Sequence, residues 1–186
     1  MGLLISGLVL WSLVHLIPGL AQPLKQTLTV KLGENGYKGI FTLLMIAALA
    51  LIVFGWRSIT PTFLYQLPVY VAHSAKLLVL FAFILFGASN YPTRIKNIIR
   101  HPQLTGVMVW AIAHLLMNGD NRSVLLFTWM GVWALFEIIV INRREGEWVK
   151  LDPPPVSREI RGLVISLVVF AVVAMIHPYI AGVSIY

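Results

Sequence analysis

Arg100-His101-Pro102-Gln103-Leu104-Thr105-Gly106, leading into Trp110-Ala111-Ile112-Ala113-His114-Leu115-Leu116-Met117 and closing on Asn118-Gly119-Asp120, reads as one membrane helix from entry to exit. A basic entry precedes a proline suited to a first helical turn. An apolar run follows, and a polar cap ends it. A histidine inside such a run is costly in hydrocarbon unless it has a partner, so His114 is a functional-site candidate. His15 and His73 also lie inside hydrophobic segments. Three imidazoles at membrane depth, in a chain without cysteine, point first to a bound metal centre.

Working outward, the 186 residues are 59% hydrophobic and only 11% charged, well below the roughly 25% charged residues of soluble domains. The chain is therefore an integral membrane protein with a single domain over residues 1–186. Its apolar runs are continuous rather than alternating, which selects helices over a barrel. The expected class is all-α: a polytopic helical bundle of about six transmembrane helices. The absence of cysteine excludes disulfides, iron–sulfur clusters, thiolate zinc sites and a cysteine nucleophile. A net charge of +7 does not imply nucleic acid, because the basic residues sit in short loops between spans. There they set topology and meet anionic lipid head groups.

Six hydrophobic segments are expected to cross the bilayer: about 2–20, 38–56, 69–89, 103–119, 123–142 and 163–183, each near the ~20 residues required. Met1 to Leu20 reads as a retained first span, since no Lys or Arg precedes it and Ala-x-Ala cleavage chemistry is missing. Loops after the first, third and fifth spans hold Lys25, Lys31, Lys38, Arg94, Lys96, Arg100, Arg143, Arg144, Lys150, Arg158 and Arg161, whereas the other loops hold Arg57 and Arg122. That asymmetry places the odd loops in the cytoplasm and both termini outside. The 143–162 connection, with Pro153-Pro154-Pro155, is expected to be stiff and extended. The 21–36 loop has room for a short interfacial helix. No internal repeat is visible at this level.

At ~1.5 Å per residue, His114 lies about 16 Å from the cytoplasmic face and His15 about 19 Å from the outer face, both near the midplane, while His73 enters from outside and is about 6–8 Å deep. Two axial imidazole nitrogens on one iron stand about 4 Å apart, from metal–nitrogen bonds of about 2 Å. His15 with His114 is the preferred pair, and His73 with His114 remains open. Each of the three also has a structural reading as a helix–helix hydrogen-bonding residue. Zinc would need more ligands than this cysteine-free, acid-poor chain supplies. Haem needs one or two histidines and an apolar slot; without Cys-x-x-Cys-His it would be b-type and non-covalent. Trp110, one turn before His114, could line that slot. Arg100 and His101 (or Arg94, Arg57 and Arg122) could meet propionates. Lys76 reads as snorkelling, His177 as structural, Glu137 as a partner for Arg100 or Arg144, and Asp120 and Asn118 as helix caps.

The run from Arg100 to Gly106, with Trp110 to Leu116 and Asn118-Gly119-Asp120, resembles the signature of the NnrU family of bacterial membrane proteins. Leu13-Val14-His15 and the chain length agree with it. The resemblance implies a link to nitrite and nitric oxide reduction in denitrification. Through the related 15-cis-zeta-carotene isomerase it also implies haem b held by His15 and His114, with His73 an alternate ligand. On that reading the ligand or substrate is nitric oxide or a hydrophobic small molecule. Arg-His-Pro is also similar to the entry motif of membrane methyltransferases that use S-adenosylmethionine. Leu104 and the segment Asn142 to Glu147 depart from that pattern. A cofactor-free assembly factor is the third class.

Because the chain lacks cysteine, its topology is open to single-cysteine labelling. Thr60→Cys is expected to react in intact cells with a membrane-impermeant maleimide. Lys150→Cys should react only after the membrane is opened.

Overall fold

The computed structural model describes residues 1–150 and 152–183. Six α-helices follow one another: α1 (Gly2–Leu20), α2 (Gln22–Arg57), α3 (Val69–Ala88), α4 (Pro102–Met117), α5 (Asn121–Glu145) and α6 (Val156–Ala181), with a 3₁₀ turn at Arg94–Asn97. All but α4 are long and apolar enough to cross a membrane. The outer faces carry apolar side chains as open as Leu77 (69% exposed) and Leu43 (67%), which fits lipid rather than water around them. The protein is a polytopic helical membrane protein built of two compact units, Met1–Thr60 and Pro61–Tyr186.

In the first unit, α1 and α2 form an antiparallel pair whose backbones nearly touch. A side chain at Gly7 would come within 2.8 Å of the Ile52 nitrogen, and one at Gly55 would strike the Leu4 backbone. Lipid tails are as apolar as leucine, so helices in a membrane gain mainly from such close packing at small residues. Gly33, at φ 73° and ψ 165°, breaks α2 into two arms. Only glycine takes that conformation cheaply. The first arm, 22–32, is the short helix expected in the 21–36 loop. The second arm carries the span.

In the second unit, α3 packs against both α4 and α6, and α4 against α5. Gly106 seats α4 on Phe86 and Ala82, and Gly87 seats α3 on Ser166. At the loop end, Glu159 accepts hydrogen bonds from Thr93 Oγ1 (2.7 Å) and the Arg94 amide (2.6 Å), which ties the α3–α4 loop to α6. Asp120 caps α5 by accepting from the Arg122 and Ser123 amides, as expected of that residue.

Two boundaries differ from expectation. The 143–162 connection is not extended throughout, because α6 begins at Val156, just after the three prolines, with Pro155 as its N-cap. Proline is disfavoured inside a helix but compatible with its start. The fourth span is only 16 residues long, about 24 Å at ~1.5 Å per residue against a core of about 30 Å. Its last turn would leave carbonyls open. The Tyr65 hydroxyl donates to Leu115 O, and Asn118 Nδ2 donates to His114 O at 3.1 Å. Leu64 N and Tyr65 N both donate to Gly119 O, at 2.7 and 3.2 Å, so segment 61–65 clasps the α4–α5 turn. Burial, then the nearby Asp120 carboxylate, raises the Tyr65 phenol above its ordinary range and keeps it a donor.

Replacing Gly55 by valine forces a branched side chain into the Leu4 backbone. The expected cost is about 3 kcal/mol, read as a lowered thermal midpoint in detergent.

Candidate functional site

Each of two helices carries a histidine one turn after a tryptophan, and each imidazole is held the same way. In α1, His15 Nδ1 lies 3.0 Å from the Trp11 carbonyl oxygen. In α4, His114 Nδ1 lies 2.8 Å from the Trp110 carbonyl oxygen. A carbonyl can only accept, so in both neutral rings Nδ1 carries the proton and Nε2 the lone pair. A backbone carbonyl behind the imidazole is the usual way to orient a metal-ligating histidine and raise its basicity.

The surroundings also correspond. His15 sits 4.4 Å from the Trp11 ring and edge-on to Phe41 of α2 at 5.6 Å. His114 sits 4.9 Å from the Trp110 ring and stacks on Phe127 of α5 at 4.5 Å. Both rings are half-buried. Four residues before each tryptophan stands a glycine, Gly7 or Gly106, at the point of closest approach to the neighbouring helix. The pattern Gly-x-x-x-Trp-x-x-x-His-Leu therefore occurs twice, at Gly7–Leu16 and Gly106–Leu115. This corrects the reading that the chain has no internal repeat. The unit is only ten residues long, and superposing the two histidine segments would have found it.

The remaining candidates lie elsewhere. His73 is exposed, about one turn into α3. His101 is the N-cap residue of α4, with Nε2 2.9 Å from Asn142 Oδ1. Arg100 donates from Nη1 to Gly146 O at 2.8 Å and lies 3.7 Å from the Glu145 carboxylate. Both basic side chains thus rivet the start of α4 to the end of α5. Thirteen residues of helix, about 20 Å, separate them from His114. Held there, they do not reach the surroundings of that imidazole. His177 Nδ1 lies 3.0 Å from Val183 O at the end of α6, and His177 is near enough to His114 to act on it electrostatically. Glu137, expected to pair with Arg100 or Arg144, is buried at 4% exposure, where Arg144 acts on it electrostatically and the Trp133 indole, one turn back, hydrogen-bonds its carboxyl group.

Among the described residues no three histidines, aspartates or glutamates gather as metal ligands. That donor set does not suit a three- or four-ligand zinc site. Single pre-oriented imidazoles in aromatic, apolar settings do suit a haem iron, which takes one or two. Arg100→Ala is expected to lower stability by about 2 kcal/mol through loss of a charged hydrogen bond. It should leave the visible spectrum of haem-supplemented protein unchanged, which separates a rivet from a propionate partner.

The family described as NnrU protein matches residues 3–185. No curated protein and no solved structure matches the chain.

Proposed function

The chain belongs to the NnrU family, and from that premise we propose that it is an integral membrane haem b protein in which His15 and His114 would hold the iron. The observation that supports this is the doubled histidine device. Each imidazole gives its Nδ1 proton to the carbonyl of its own helix, at 3.0 and 2.8 Å, and so offers Nε2 to a metal. Bound haem would supply a redox-active iron able to interact with nitric oxide or with a hydrophobic substrate. The chain's own residues do the rest. Trp110 and Phe127 flank His114 with aromatic surface, which excludes water and suits the faces of a macrocycle. His73, exposed on α3, is the reserve ligand for exchange.

The test is spectroscopic. Protein purified in detergent after expression with haem supply is expected to show a six-coordinate Soret band and a sharp α-band on reduction. His15→Ala and His114→Ala should each give a five-coordinate spectrum or lose the haem. A parent protein without a Soret band at near-stoichiometric haem overturns the reading. Retention of six-coordination in His15→Ala, with its loss in His73→Ala, moves the second ligand to His73. Nitric oxide added to the reduced protein then tests whether the iron accepts a small ligand.

A further inference from the structure

The bend of α2 at Gly33 shapes a second feature that the histidines do not use. Pro18 of α1, Lys25 of the first arm, and Tyr37, Lys38, Phe41 and Thr42 of the second arm line an open cleft of about 410 Å³. That volume lies in the range of small-molecule sites, roughly 300–1,000 Å³. Lys25 is half-buried there. Lys38 is 2.7 Å from Glu34, its i−4 neighbour, and both side chains are largely exposed, so this pair opens at little cost. Thr42 already donates to Lys38 O at 2.9 Å.

Tyr37 is the informative member. Its hydroxyl is shielded from solvent and has no hydrogen-bond partner among the described residues. Buried polar atoms are nearly always satisfied, and each exception calls for an explanation. A phenol donates best to an anionic oxygen, and two ammonium groups beside it exclude a cation. We infer that the α2 elbow is an oxyanion site, in which Tyr37 donates to a carboxylate or phosphate oxygen and Lys25 and Lys38 balance its charge.

Two sources can supply that oxygen. The first is the phosphate of an anionic lipid, because the lysine-rich loop after α1 is the kind that faces the cytoplasmic leaflet. The second is a haem propionate, a source that rests on the haem reading above. Phe41 connects the two features, since it lines the cleft and also meets the His15 ring at 5.6 Å.

The experiment has two arms on the full-length protein. In the first, native mass spectrometry measures retention of phosphatidylglycerol against phosphatidylcholine. In the second, absorbance titrations compare haem with haem dimethyl ester, whose propionates are uncharged. The variants are Tyr37→Phe, which keeps the ring, and Lys25→Gln/Lys38→Gln. Lys31→Gln, on the same arm but outside the cleft, is the control. A lipid source predicts about tenfold weaker phosphatidylglycerol retention in both cleft variants and none in the control. A propionate source predicts that the parent prefers haem to its ester by about tenfold and that both cleft variants lose that preference. No change in either arm overturns the site, and so does an equal loss in Lys31→Gln. A missing Soret band bears on the haem reading alone, because the lipid arm still decides the cleft.

Discussion

Hydrocarbon offers no hydrogen bond, so every polar atom of this chain that enters it must find a partner within the protein. The helices meet most of that demand through their own ladders, and the exceptions are where the structure becomes specific. Where α4 stops after 16 residues, Tyr65 and Asn118 take up its open carbonyls. At its other end Arg100 and His101 engage Gly146, the C-cap of α5, and Asn142 within it. A short helix in a membrane is therefore held by side chains brought to both of its ends. The same constraint makes glycine a packing residue. Gly7, Gly55, Gly87 and Gly106 mark the places where one helix rests against its neighbour.

The histidines obey that constraint in a way that leaves chemistry possible. By turning Nδ1 to the carbonyl one turn back, an imidazole satisfies one nitrogen without help from another helix. A lone structural histidine would more often bridge two helices. The Tyr37 hydroxyl shows the contrasting case, a buried polar atom with no hydrogen-bond partner among the described residues.

Much of this was legible from residue order. Apolar runs located α1, α3 and α5 to within about a turn, and Asp120 and Asn118 were recognisable as caps. Other features depended on physics that hydropathy does not register. Gly33 becomes a bend only because its positive φ is used, and nothing in composition separates it from Gly36 or Gly39. The start of α6 was hidden because Ser157 to Arg161 is polar but for Ile160, and helix formation there draws on the prolines before it and on Glu159 meeting Thr93 and Arg94. Arg100 and His101 are candidate partners for an anion in the sequence, which gives charge without direction. Their partners, Gly146 and Asn142, lie more than forty positions away. The paired Gly-Trp-His segments escaped notice because hydropathy weighs a tryptophan or a glycine only as part of an average.

The self-contained histidine device has a consequence for how such a protein is made. α1 leaves the ribosome long before α4, since His114 follows His15 by 99 positions. Because Trp11 orients His15 within a single helical turn, that imidazole is set as soon as α1 is helical. It does not wait for later helices, and it spends the interval of synthesis with one face of its chemistry already chosen. Biogenesis can therefore proceed in order from the N-terminus, each histidine arriving in the bilayer ready-oriented rather than being sorted out after the whole chain is inserted.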